Sequence, residues 1–133
     1  MVTWEFFRTD SDYSKAKSLL KQAEATLERL EITPKFKYPS NTLVDYYDSI
    51  HKLMEAITSI DGIKFADKGS HYLLIKYICD KYLPEYTDFL QDMRLYRNQI
   101  SYEGRQIQPN YPRNIPKIET ILKKLKQIII KKN

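Results

Sequence analysis

Apolar residues recur every three or four positions along almost the whole chain, and this periodicity leaves amphipathic helices as the natural solution. From about Asp12 to Leu30, the residues Ala16, Leu19, Leu20, Ala23, Leu27 and Leu30 share one face, and Lys15, Lys17, Lys21, Glu24 and Glu28 cover the other. Ser11 or Asp12 can cap this first helix, and a loop from Pro34 to Pro39 ends it. A second helix is predicted after Ser40 or Asn41, either of which can accept from free first-turn amides. Its stripe is Leu43, Tyr47, Ile50, Met54 and Ile57, widened by Val44, Tyr46 and Leu53, and Asp61-Gly62 stops it. Ser70 is placed to cap a shorter third helix carrying Leu73, Leu74, Tyr77 and Ile78. Pro84 suits the first position of a fourth helix, where its missing amide costs nothing. Phe89, Leu90, Met93, Tyr96 and Ile100 form the fourth stripe, and Gly104 suits a left-handed cap at its end. After a polar, proline-containing loop from Gln106 to Pro112, a fifth helix starts near Asn114 to Pro116 with Ile118, Ile121, Leu122, Leu125, Ile128 and Ile129.

The composition agrees with this reading. Only 3 Gly and 6 Pro are present, too few for many tight turns, and no β-hairpin signal or internal repeat interrupts the pattern. Each helix has one stripe to bury, so the predicted fold is all-α, an antiparallel bundle of roughly five helices in one domain over residues 1–133. With 29% charged residues and no apolar run near the ~20 residues that span a bilayer, no membrane association is expected. The opening from Met1 to Phe7 carries Glu5 and lacks a basic start, so it reads poorly as a signal peptide and a cytoplasmic location is the expectation. The lone Cys79 excludes an intrachain disulfide and reads as a small core hydrophobe. The 11 tyrosines suit an interface, because each can bury a ring and still hydrogen-bond, so self-association is expected.

The net charge of +5 permits nucleic-acid binding. Much of the excess is C-terminal, at Lys117, Lys123, Lys124, Lys126, Lys131 and Lys132, where cations also complement a helix dipole. The remaining chemistry is sparse. His51 and Glu55 are one helical turn apart but do not complete a zinc site; His51 reads as a surface or interface residue and His71 as a local structural one. No metal or cofactor site is predicted. Three glycines cannot build a phosphate cradle, and no Ser-His-Asp arrangement is recognisable.

What stands out is the end of the fourth helix, from Asp92 to Gly104. Arg97 lies one turn after Met93, so the helical period puts a guanidinium within or beside the buried face, whereas Arg94 can point to solvent and pair with Asp92 or neighbouring acids. A buried cation needs a carboxylate, a phosphate or a wet cleft. Ser101 is four residues after Arg97, and Tyr102 is four after Asn98. Arg97, Asn98, Ser101 and Tyr102 therefore offer a guanidinium, an amide, a hydroxyl and a phenol, a set able to hold a phosphodiester and stack a base. The same residues also admit a purely structural reading, with Arg97 in an ion pair and Asn98 bonded to a loop.

The stretch Arg97-Asn98-Gln99-Ile100-Ser101-Tyr102-Glu103-Gly104, late in the fourth of about five helices, resembles the signature region of the HEPN (higher eukaryote and prokaryote nucleotide-binding) family. The helix order and the tyrosine-rich second helix (Val44-Asp45-Tyr46-Tyr47) resemble that family too. The resemblance implies a homodimeric bundle with the motif helices facing one another across a cleft. Many members are metal-independent ribonucleases, often toxins paired with a nucleotidyltransferase antitoxin, in which an Arg-Asn pair is followed a few residues later by histidine. Here Tyr102 stands at that position, and a tyrosine, titrating near ~10, is a poor base at neutral pH. The expectation is thus a module binding RNA or a nucleotide with weak or no nuclease activity, acting with a nucleotidyltransferase-type partner. Two alternatives stand beside it: a ribonuclease using Arg97, Asn98 and Tyr102 (or Ser101), and a non-catalytic scaffold.

Overall fold

The computed structural model describes residues 6–66, 70–104 and 111–132. Within them the chain forms β1 (Phe6–Arg8), α1 (Tyr13–Glu31), α2 (Pro39–Asp61), β2 (Ile63–Phe65), α3 (Ser70–Lys81), α4 (Thr87–Glu103) and α5 (Ile115–Lys132), with single 3₁₀ turns at Pro84–Tyr86 and Tyr111–Asn114. This is the predicted all-α bundle with one small addition, a two-stranded sheet. The loop residues 106–110 lie outside the described residues.

Helix α2 is the axis of the bundle and packs against α1, α3, α4 and α5. Its wide stripe explains this: Leu43, Tyr46, Tyr47, Ile50, Leu53, Met54, Ala56, Ile57 and Ile60 are all buried, so apolar residues cover more than one face and several partners are needed. Helix α1 folds back along α2 as an antiparallel hairpin, its small Ala16 and Ala23 lying fully in the contact and Leu30 closing the far end. Leu19, Leu20 and Leu27 are only partly covered. Leu74, Ile75, Ile78 and Cys79 from α3, Leu90 and Met93 from α4, and Ile118, Ile121, Leu122, Leu125 and Ile129 from α5 complete the core.

Several helix starts differ from the sequence expectation. Asp12 caps α1 as predicted, its carboxylate accepting from the Lys15 amide at 2.9 Å. Helix α2, however, begins at Pro39, whose fixed φ is already helical, so Ser40 and Asn41 fall inside the first turn rather than at the cap position, which Tyr38 takes. Ser70 is the first residue of α3. Pro84 opens a 3₁₀ turn that runs on into α4, with Thr87 Oγ1 donating to the Pro84 carbonyl at 3.1 Å. Gly62 and Gly104 end α2 and α4 in the left-handed conformation, at φ 70° and 68°.

The strands pair antiparallel, with Phe6 opposite Phe65 and Arg8 opposite Ile63. The Phe6, Phe65 and Tyr77 rings stack edge to face at 6.0–6.2 Å. The segment joining β1 to α1 then satisfies carbonyls that α2 leaves free at its end. Asp12 N donates to Ser59 O, Ser11 Oγ to Ile60 O and Thr9 N to Gly62 O, all at 2.7–2.8 Å. Among the described residues, no helix is long and apolar enough to cross a membrane.

Candidate functional site

Helix α4 crosses α2 where its apolar stripe gives way to charge. Leu90 and Met93 are fully buried, but one turn later Arg97, not Tyr96, takes the side facing α2, and Tyr96 is 43% exposed. The geometry is simple: position i+4 rotates only about 40° from Met93, whereas i+3 rotates about 60° the other way. The predicted placement of Tyr96 in the stripe is therefore corrected, and that of Arg97 at the edge of the buried face holds.

The Arg97 side chain is 20% exposed and its Nε donates to Asp48 Oδ1, across from α2, at 3.3 Å. Its Nη1 donates to the Tyr102 hydroxyl at 3.4 Å, and the guanidinium also lies over the Tyr102 ring, 5.7 Å from its centre. Partial burial works against the charge, but Asp48 and then the Tyr102 phenol more than restore it, so the pKa of Arg97 is raised. These two are the side chains that bond Arg97 among the described residues. Asn98 is half-buried and Ser101 exposed, and neither touches the guanidinium through a hydrogen bond. Tyr102, 77% exposed, reaches Arg97 rather than Asn98.

Arg94 does not pair with Asp92. Its Nε donates to Gln91 Oε1 at 2.9 Å and its guanidinium stacks over Tyr72, 5.7 Å from the ring centre, while Gln91 in turn donates to the Tyr72 carbonyl at 3.1 Å. Among the described residues, two arginines one turn apart are thus held by neutral groups and one acid, Asp48.

The structure also brings together residues that the sequence reading left separate. Tyr47, His51 and Glu55 are spaced four apart along α2 and form a ladder down one face. His51 Nδ1 lies 3.0 Å from Glu55 Oε1, with the His51 side chain 17% exposed, so within the chain this histidine is half-buried and carboxylate-bonded. This bond is the largest cause of the lowered pKa of Glu55. His71, on the first turn of α3, stacks on His51 with ring centres 4.2 Å apart and 29° between planes. Partial burial lowers the pKa of His71, and the charges of His51, Arg97 and Arg94 lower it further, Glu55 acting the other way. Arg97 is thereby placed within electrostatic reach of a histidine from another helix.

Both histidines line a groove of about 550 Å³ between α1, α2, β2 and α3, together with Lys15, Lys64 and Glu55. Beneath the arginines, the Tyr47 hydroxyl is buried without a hydrogen-bond partner, and burial pushes its pKa up while Arg94 and Arg97 pull it down. A fixed-spacing ladder at 47, 51 and 55 was visible in the sequence, but the partner at 71 came from a different helix and carried no local signal. Among the described residues, no group of three or more His, Cys, Asp or Glu side chains is arranged to hold a metal ion. Compared with known proteins, the chain matches no family model, no curated protein and no solved structure.

Proposed function

We propose that the chain binds RNA or a nucleotide at the Arg97 corner, as a HEPN-like module that works as a homodimer with a nucleotidyltransferase-type partner. The observation carrying this reading is the charge arrangement at the α2–α4 contact. Arg97 and Arg94 stand one turn apart, with Asp48 the one carboxylate paired with them among the described residues, beside two histidines and an exposed phenol. Phosphate is the anion such a pair of guanidiniums suits, and Tyr102 offers a base a ring to stack on. Asn98 and Ser101, on the same turn and a half, supply neutral donors at its edge.

The homodimer part of the reading rests on α4, where Leu95, Tyr96 and Tyr102 are 48%, 43% and 77% exposed on the helix that carries the arginines. The alternative in which Tyr102 replaces a catalytic histidine is the less favoured, because its hydroxyl oxygen already accepts from Arg97 and its ring is 77% exposed, an arrangement that suits a stacking surface. The scaffold alternative draws on the Arg97–Asp48 pair, which would hold the fold together without any ligand.

Fluorescence anisotropy of a labelled single-stranded RNA, with ATP as competitor, tests the proposal. Arg97→Ala should weaken binding about 10- to 100-fold, the effect of one charge-assisted phosphate contact, and flatten the salt dependence. Binding unchanged in Arg97→Ala and in Arg94→Ala would overturn it. Sedimentation of Tyr96→Glu tests the dimer separately, with a shift to monomer expected.

A further inference from the structure

We propose that the seam between α1 and α5 is a docking groove for an acidic amphipathic helix of another protein, a surface separate from the Arg97 corner and independent of the binding reading above. Both helices pack along α2, but among the described residues they do not pack against each other. The seam left between them has a volume of about 430 Å³, and no described residue of α4 lines it. Leu27 of α1 and Leu122 and Ile130 of α5 supply apolar walls beside Tyr46 of α2. The α5 edge runs from Glu119 to Ile130, three turns of helix or about 16 Å. That length and those walls suit a second helix, whose anchors recur at i, i+4 and i+7 over a similar distance. Ile130 is 67% exposed at this edge, whereas the other isoleucines of α5 are buried or half-buried.

The polar groups around the groove identify the chemistry of the partner. Glu31, Lys35, Glu119, Lys123 and Lys126 all line it, and none of their charged groups makes an ion pair or hydrogen bond among the described residues. Glu119 and Lys123 are spaced to pair along their own helix and do not. Tyr46 is 3% exposed, and its hydroxyl likewise has no hydrogen-bond partner among the described residues. Burial pushes this phenol up to about 12, with the charges of Glu119 and Glu31 acting the same way, so it stays a donor at neutral pH. A glutamine or serine on the docked helix gives it an acceptor. The sign of the partner follows from α5, which carries six lysines and one acid, Glu119. An acidic helix is steered to that face, whereas a second copy of this chain, at +5, is repelled as a whole. The walls decide for a protein over RNA: aliphatic side chains bury well against Leu27, Leu122 and Ile130, but bases stack on open aromatic rings and the Tyr46 ring is covered.

The test uses the whole chain and two labelled helical peptides of about five turns with leucines at i, i+4 and i+7. One carries glutamates beside the leucines and the other carries lysines in their place. The glutamate peptide should bind at least about tenfold more tightly than the lysine peptide, and the advantage should shrink as salt is raised. Amide NMR shifts on binding should cluster at Leu27, Leu122 and Ile130. Ile130→Asp should weaken the glutamate peptide by about tenfold or more; the side chain is exposed, so the fold is kept, and circular dichroism checks this. Lys123→Glu combined with Lys126→Glu should reverse the preference between the two peptides. No binding of the glutamate peptide, equal binding of both, or binding that ignores Ile130→Asp overturns the proposal. So does a dimer that Ile130→Asp converts to monomer, which assigns the groove to a second copy. Single-stranded RNA that shifts the groove amides where the glutamate peptide does not also overturns it, and assigns the face to nucleic acid.

Discussion

Replacing Asp61 should be the most damaging single polar change in the molecule. Its carboxylate ends α2 with the side chain only 8% exposed and accepts from four groups: Lys132 Nζ at 2.6 Å, Tyr82 OH at 2.8 Å, Tyr77 OH at 2.9 Å and Lys81 Nζ at 3.5 Å. Three helices are tied at this one residue, the end of α2, α3 with the turn after it, and the last turn of α5. Asp61→Ala removes the acceptor for two partly buried phenols, about 1.5 kcal/mol each where the acceptor is charged, and strands the Lys132 ammonium, whose side chain is 21% exposed, for about another 1–2 kcal/mol. Lys81 is half-exposed and adds little. The expected loss is about 4 kcal/mol, a large part of a typical domain stability of roughly 5–15 kcal/mol. Asp61→Asn keeps an acceptor for the phenols and loses the charge, for about half the effect. Urea unfolding at pH 7 measures both. The pH dependence provides an independent check. Burial pushes the Asp61 pKa up, but the bonds from Lys132, Tyr82 and Tyr77 outweigh it, and the net shift is down. The stabilisation is therefore complete above the ordinary value of 3.8 and is lost as pH falls through the lower folded value. Wild type should lose this contribution on acidification and Asp61→Asn should not. An Asp61→Ala protein within about 1 kcal/mol of wild type, or two parallel acid profiles, would refute the reasoning.

Gly62 and Gly104 have the same left-handed backbone but different surroundings, which separates strain from collision. A Cβ on Gly62 runs into the Thr9 carbonyl, a backbone atom held in place by the bond from Thr9 N to Gly62 O, whereas one on Gly104 meets nothing within 4 Å. Gly104→Ala should cost about 1 kcal/mol and Gly62→Ala about 2–4 kcal/mol in chemical denaturation. Cys79 is fully buried and its thiol is pushed up to about 11 by that burial. Ellman's reagent at pH 8 should leave it unmodified until urea unfolds the chain, and rapid labelling of the native protein would contradict its place in the core.

The helices were legible because their information is local. The spacing of Leu43, Ile50, Met54 and Ile57 sets the buried face of α2 whatever packs against it, and Asp12 and Gly104 act within one turn of themselves. The strands were not legible, because Phe6–Arg8 pairs with Ile63–Phe65 across the whole α1–α2 hairpin and three residues carry no period of their own. Asp61 and Lys132 were read through single-helix rules, as a helix stop and a dipole complement, and their mutual bond depends on where α5 ends against α2. The same limit applies at the site. Arg97 could be placed on a face by counting from Met93, but Asp48 and His71 reach it from other helices, and nothing in either neighbourhood marks them as partners.

Asp48 is also the residue that decides whether Arg97 holds a ligand or only the fold. The pair is 20% and 41% exposed, so its contribution to stability is at most about 1 kcal/mol. If Arg97 serves an incoming phosphate, Asp48 has two opposed effects: it orients the guanidinium through Nε, and its charge repels the anion. Asp48→Asn keeps the side-chain oxygen that Nε donates to and removes the repulsion. At a surface separation of a few ångströms that repulsion is on the order of 1 kcal/mol, so affinity for single-stranded RNA should rise about fivefold at low salt and the gain should fade as salt is raised. Asp48→Ala removes orientation along with charge and should gain less than Asp48→Asn. A purely structural Arg97 predicts the opposite pattern, with both variants slightly less stable and RNA affinity unchanged in each. The order Asn above Ala above wild type in affinity is what a ligand-holding arginine requires, and equal affinities in all three would assign Arg97 to the fold alone.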